Sequence, residues 1–278
     1  MIVRQAAYVL DVLEYFAQAR KPATLAEIAD HFGWPRSSTF NLLTTLSEKG
    51  YLYEPRPRAG FYPTPRWLAM AQVIAEVEPL PEWMHALVVE LAAETGETTA
   101  IAAPAGTMAV FIDVEESPAA IRYFAKIGHR LPIHATASGR ALLLQYSPEE
   151  RNALYRKVEF KQWGAATPIS IEAVEAELRR SAERGYCQSL SDYSQDLGGV
   201  ALPVPLGERR LSLVVAGPEF RVASRLPQIA DTITRAIARH APGGYPLPVI
   251  ARESGQSSTR ERLDRSSTSR RTGSRPPT

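Results

Sequence analysis

The chain has 278 residues, 45% hydrophobic and 22% charged, with a formal net charge of +2; the length suits two compact domains, and the composition excludes a wholly disordered or fibrous protein. No stretch approaches the roughly 20 apolar residues that span a bilayer, and the N-terminus MIVRQAAYVLDVLEYF has no basic n-region or small-residue cleavage site, so a cytoplasmic protein with no membrane partner is expected. The single cysteine, Cys187, and five histidines without ligand spacing exclude a disulfide framework and predict neither a structural metal nor a cofactor.

Val9, Leu10, Val12, Leu13 and Phe16 recur at helical spacing and predict a first helix between Ala6 and Gln18. Thr24 and Glu27 form an S/T-x-x-E capping box that opens the helix LAEIADHF, with Gly33 as its left-handed stop. Trp34 and Pro35 make the turn. A third helix follows from about Ser37 to Lys49, with Leu42, Leu43 and Leu46 on one face and Gly50 at its end. This order is that of a helix-turn-helix. Tyr51 to Tyr53 reads as a short strand, EPRPRAG as an exposed basic turn, and Phe61 and Tyr62 as the returning strand, which together make a wing. Thr64 as N-cap and Pro65 at the first helical position start a linker helix through Trp67, Leu68, Met70, Val73 and Ile74, stopping before Pro79 and Pro81.

In the second half, EWMHALVVELAAET predicts a helix ended by Gly96, and TTAIAAP, MAVFIDVE and AIRYFAKI read as consecutive antiparallel strands. After the loop GHRLPIHATA, Ser138 and Gly139 open the helix RALLLQY, and Ser147, Pro148 and Glu150 give a capped start to the next, which carries Leu154 and Tyr155. Ser170 caps IEAVEAELRRSAER, which Gly185 ends. Cys187 falls in a strand; VALPVPL and LSLVVAG flank the turn GERR, and a last amphipathic helix runs from about Arg225 to His240. Antiparallel strands with peripheral helices predict an α+β domain on one sheet. From Ala251 onward seven Arg stand against Glu253, Glu261 and Asp264, among Ser and Thr without apolar periodicity. Residues 244–278 are expected to form a disordered Arg/Ser-rich tail, and the overall charge says little about the partner.

DNA binding needs cations for phosphates and side chains that reach base edges from the front of a helix in the major groove. Arg36, Ser37, Ser38, Thr39 and Asn41 stand at the N-terminal part of the third helix. Hydroxyls and backbone N–H groups there suit phosphate, Asn41 suits adenine, and Arg36 suits guanine or phosphate. In the wing, Arg56 and Arg58 suit the backbone or minor groove. A solvated helix start and an ordinary exposed turn are the alternatives.

The stretch from Ala6 to Arg66, with RSSTFNLLTTLSEKGYL at its centre, resembles the N-terminal domain of the IclR family of transcriptional regulators. GHRLPIHATASGRALL and RGYCQSLSDYSQDLGGVALPV are similar to that family's two effector-domain signatures, so that the likeness spans about residues 4–240. It implies a winged helix-turn-helix over residues 1–66, a linker helix over 67–80 and a GAF-like effector-binding domain over 81–243. Double-stranded operator DNA and a small organic-acid effector are the partners implied, with assembly as a homodimer or homotetramer. The resemblance also places the effector at Ala137, Ser138 and Gly139, where small residues permit close approach and helix-start N–H groups favour a carboxylate. Ser189, Asp192 and Gly199 stand around it, with Val214 and Ala216 as the floor.

Three departures bear on specificity. Asn41 stands where the family usually has Arg; Asp192 and Asp196 stand where it usually has Glu and Gly; and Val214 and Ala216 stand where members that bind very small 2-oxo acids carry serines. An apolar floor leaves the far end of a small polar acid unsatisfied, so a hydroxylated aromatic acid fits better, with Asp192 accepting from its hydroxyl. Two other readings remain open. One is a hydrolase or thiol enzyme using His134 with Ser138, or Cys187, although there is no G-x-S-x-G elbow and no third triad member. The other is a structural DNA-binding protein without a ligand, which predicts a filled second core.

Overall fold

In the computed structural model, which describes residues 3–77 and 79–243, the capping chemistry of Thr24 and Glu27 sets the first turn of the second helix. The Thr24 hydroxyl accepts the Glu27 N–H at 3.3 Å while the Glu27 carboxylate accepts the Thr24 N–H at 2.7 Å, so two otherwise orphaned donors are satisfied reciprocally. Helix α2 (Leu25–Phe32) begins there and ends at Gly33, whose φ of +66° is open to glycine without strain. It lies between α1 (Arg4–Ala19) and α3 (Arg36–Glu48). Val12, Phe16, Ile28, Leu43, Leu46 and Leu52 make the shared core; Leu10, counted in the first apolar row, faces solvent instead. The wing is an antiparallel pair, β1 (Leu52–Tyr53) and β2 (Tyr62–Pro63). Helix α4 (Arg66–Val77) follows. The helix begins one residue later than expected, so Pro65 and not Thr64 directly precedes it, and the Thr64 hydroxyl donates to the Gly50 carbonyl at 2.7 Å, tying the helix entrance to the end of α3.

The chain divides into two compact units, Met1–Leu80 and Pro81–Thr278, with α4 in the first. The tail expected over 244–278 lies outside the described residues. In the second unit α5 (Glu82–Thr95) precedes a six-stranded antiparallel sheet. The strands are β3 (Thr98–Ala105), β4 (Met108–Glu115), β5 (Arg130–Pro132), β6 (Cys187–Leu190), β7 (Leu197–Pro203) and β8 (Ser212–Pro218), in the order β5-β4-β3-β8-β7-β6. Helices α6 (Ala137–Leu143), α7 (Pro148–Tyr155) and α8 (Ile171–Arg184) come between β5 and β6. After β8 come α9 (Glu219–Val222), a short 3-10 turn (Ala223–Arg225) and α10 (Leu226–His240). Strand alternation splits the buried side chains into two faces. Ala100, Ala102, Ala201, Val214 and Ala216 join the cluster of α6. Ile101, Leu213 and Val215 alternate with them and are also buried; α5 and α10 pack on each other and on the sheet.

The strand expected from AIRYFAKI does not form. β4 has β5 on its outer edge, Met108 opposite Pro132 and Val110 opposite Arg130, in a stretch expected to be a loop. The backbone of 116–127 is held instead by side chains: the Thr98 hydroxyl donates to the Tyr123 carbonyl at 2.6 Å and accepts the Ser117 N–H at 3.1 Å, and the Arg221 guanidinium donates to the Ile121 carbonyl at 2.9 Å.

Candidate functional site

Thr39, Leu43 and Leu46 form the buried face of α3. At 3.6 residues per turn the outer side carries Ser37, Asn41 and Thr45 in one i, i+4 row and Arg36, Phe40 and Thr44 in the next. Arg36, Ser37, Ser38 and Asn41 are exposed. Arg36 lies 3.9 Å from Asp30, and both side chains are mostly in water, so this weak contact exchanges readily for a phosphate or base. Thr39 is corrected: it is 1% exposed and its hydroxyl donates to the Pro35 carbonyl at 3.1 Å, so it closes the helix start and cannot touch DNA. Phe40 was missed; it is 55% exposed on an otherwise polar face. Its spacing from Thr39, Leu43 and Leu46 already takes it off the inward stripe. Arg56 and Arg58 are exposed between β1 and β2, where the Arg58 N–H is held by the Glu54 carboxylate at 2.9 Å.

The second candidate site is a cleft between the start of α6 and the sheet. Ala137, Ser138, Ser189, Gly199, Val214 and Ala216 line it. The ladder explains the meeting of three of them: Gly199 is opposite Ser189 on one side and Ala216 on the other, and a Cβ at Gly199 would lie 3.4 Å from the Ser189 hydroxyl. Sequence reasoning missed the aromatic wall, Phe111, Tyr123 and Tyr193, and the cap residue Thr136. The cleft leaves about 30 Å³ of open space. The Tyr123 hydroxyl is buried and has no hydrogen-bond partner among the described residues. Burial pushes its pKa far up and raises that of Tyr193 as well, so both rings face the cleft as neutral donors.

Two residues placed in the cleft by sequence belong to the frame instead. Gly139 gives its N–H to the Thr136 hydroxyl at 3.1 Å, and a Cβ on it would meet the Ile133 carbonyl at 2.1 Å; it is glycine because backbone passes there. That leaves Ala137 and Ser138 with the first helical amides, which have no intrahelical acceptor. Asp192 is occupied on both oxygens. Oδ2 pairs with Arg140 Nη2 at 2.7 Å and Oδ1 accepts the Leu190 N–H at 2.9 Å. Arg140 itself is fully buried and also donates to the Gln188 and His134 carbonyls.

The groups named for catalysis are not assembled. His134 directs Nε2 at the Lys161 carbonyl (3.4 Å), while the Ser138 hydroxyl lies 3.5 Å from that of Thr136, so no hydrogen bond joins His134 to Ser138. Burial pushes the Cys187 thiol up to about 11, which leaves little thiolate for nucleophilic work. Among the described residues no three of His, Cys, Asp and Glu are grouped to hold a metal ion, and no helix is long and apolar enough to cross a membrane.

The family model of the IclR helix-turn-helix domain matches residues 8–56, and that of the bacterial transcriptional regulator IclR C-terminal domain matches residues 72–240. Over 212 residues the chain is 28% identical to the HTH-type transcriptional regulator XynR of Escherichia coli, covering 76% of this chain and 83% of that protein. Among solved structures it is similar to the Thermotoga maritima IclR, with a TM-score of 0.63 and 19% identity over 83% of this chain and 98% of that one. It is also similar to an IclR homolog from Microbacterium hydrocarbonoxydans complexed with 4-hydroxybenzoate, with a TM-score of 0.60 and 21% identity over 84% of this chain and 99% of that one.

Proposed function

The chain belongs to the IclR family of bacterial transcriptional regulators, and we propose that it reads operator DNA with α3 and the wing under the control of an aromatic organic acid held in the α6 cleft. It has both parts of such a regulator, a DNA-binding helix-turn-helix domain and an effector-binding domain. The DNA contacts we assign to Arg36, Ser37, Ser38, Asn41, Arg56 and Arg58. A single winged domain makes few contacts, so the working form is a homodimer, or a homotetramer of paired dimers, reading half-sites ~10 bp or a multiple of that apart in the cytoplasm.

The observation that carries the effector reading is the unequal chemistry of the cleft's two ends. At one end, the Ala137 and Ser138 amides and the Ser138 hydroxyl suit a carboxylate, while the Thr136 hydroxyl is spent on the Pro132 carbonyl and the Gly139 N–H. At the other, Val214 and Ala216 accept and donate nothing, while Phe111, Tyr123 and Tyr193 offer ring faces. The unpartnered Tyr123 hydroxyl and that of Ser189 suit a ring hydroxyl, a role Asp192 cannot fill because Arg140 holds it. The 4-hydroxybenzoate of the similar Microbacterium protein is a ligand of this class. Open space of about 30 Å³ holds about two waters. A benzoate ring therefore enters only as a wall yields, and the stretch 116–127, without a strand ladder, is that wall.

The test is calorimetry on the full chain with 4-hydroxybenzoate, benzoate, pyruvate and glyoxylate. Binding of the aromatic acids with no heat from the 2-oxo acids is expected. Tighter binding of pyruvate or glyoxylate, or no binding of either aromatic acid, would overturn the reading.

A further inference from the structure

The outer side of α3 carries a large apolar side chain that neither the core nor a hydrogen bond accounts for. Phe40 is 55% exposed and lies outside the cluster that buries Leu43 and Leu46. Leaving a benzyl group in water forgoes the burial available to an aromatic ring, so a partner that covers it gains free energy. Its neighbours on the same side, Arg36, Ser37, Asn41 and Thr44, are all polar. A phenyl ring cannot hold a phosphate or hydrogen-bond a base. In the major groove, the apolar feature a base pair presents is the C5 methyl group of thymine.

We propose that Phe40 is a specificity residue that packs on a thymine methyl group in the operator. The inference rests on the reading of α3 as the helix in the groove. Asn41 follows Phe40 directly in the chain, and its amide suits adenine N6 and N7. Two adjacent side chains thus address the two kinds of base in A·T pairs, one by hydrogen bonds and one by apolar contact. Arg36, one turn before Phe40 in the same row, addresses guanine or phosphate at the neighbouring position.

The experiment begins with the duplex that the full chain selects from a random library. Each thymine of that duplex is replaced in turn by deoxyuridine, which keeps every hydrogen-bonding group and removes only the methyl. The expected result is a loss of about fourfold per half-site at one thymine position, from the burial of a single methyl group. Phe40→Ala is expected to bind the thymine and deoxyuridine duplexes equally, at the affinity the unmodified protein shows for the deoxyuridine one. Because Phe40 is exposed, the variant keeps its fold, which an unchanged thermal midpoint verifies. Deoxyuridine that costs the unmodified protein nothing at every position, or costs Phe40→Ala just as much, overturns the proposal. Selection of no duplex at all defeats the recognition-helix reading and this proposal with it, so the two failures are distinguishable.

Discussion

His134 is 1% exposed, and its two ring nitrogens meet different surroundings. Nε2 faces the Lys161 carbonyl, which can only accept, so that nitrogen carries the proton; Nδ1 is buried with no partner among the described residues. A second proton on Nδ1 would create a charge close to Arg140, whose guanidinium donates to the His134 carbonyl. Burial, and then the charge of Arg140, hold the imidazole below its ordinary 6.5, against the opposing pull of the Lys161 carbonyl. A folded pKa that is depressed means stability fully present above 6.5 and lost as pH falls through the folded value. Thermal melts from about pH 7.5 down to about pH 5 should therefore show a falling midpoint, with a shallower slope for His134→Gln. Equal slopes would show that another group carries the acid sensitivity. The sequence HATASG displays this histidine beside Ser138, which invites a catalytic reading; the carbonyl that claims its Nε2 comes from residue 161 and is invisible locally. Asp196 is the converse, where local chemistry explains a departure: its φ is +60°, in the region that favours the glycine usual in the family and that Asp tolerates better than most residues.

Between elements, the contact that fixes the cleft is the buried pair Arg140–Asp192, which clamps α6 to the turn after β6. Both oxygens of Asp192 and three of the Arg140 bonds lie within this clamp, so removing one partner leaves the other as an uncompensated buried charge. Asp192→Ala should cost about 3–5 kcal/mol in chemical denaturation, whereas Arg140→Met with Asp192→Leu, which removes both charges, should recover most of it. A loss under about 1 kcal/mol for the single variant would mean that the clamp is not structural. How much of this arrangement was legible follows from the range of each signal. Helix starts and stops are written within four residues, and the boxes at Thr24–Glu27 and Ser147–Glu150 form as read. The partner of Asp192 lies 52 residues away, which no local pattern reports. AIRYFAKI failed as a strand for a related reason: its apolar alternation is real, yet Ile121, Phe124 and Ile127 are exposed because β5 holds the edge of β4 and Thr98 takes the Tyr123 carbonyl.

At the scale of the whole molecule, α4 makes the case for self-association. Twelve residues are marginal as an isolated helix in water, and none of these twelve is buried. Its entrance is fixed by the Trp67 indole N–H, which donates to the Tyr51 carbonyl at 3.0 Å. Beyond it Met70, Val73, Ile74 and Val77 fall at i, i+3, i+4 and i+7, one continuous apolar stripe, and are 37%, 64%, 65% and 77% exposed. The stripe of a second copy related by a two-fold axis would cover all four at once, and the same axis would bring a second α3 to the second half-site. Covering a Val or Ile side chain fully is worth roughly 1.5–3 kcal/mol, so two glutamates at the stripe's centre should abolish the contact. Val73→Glu with Ile74→Glu is therefore expected to give a monomer in light scattering at concentrations where the unmodified chain is at least a dimer, and to weaken operator binding as half-sites are read singly. Leu68→Glu, at a site 63% exposed off the stripe, is the control and should leave assembly unchanged. A double variant that stays dimeric and binds DNA normally would place the interface elsewhere, and an unmodified chain that is monomeric both with and without DNA would remove the dimer altogether.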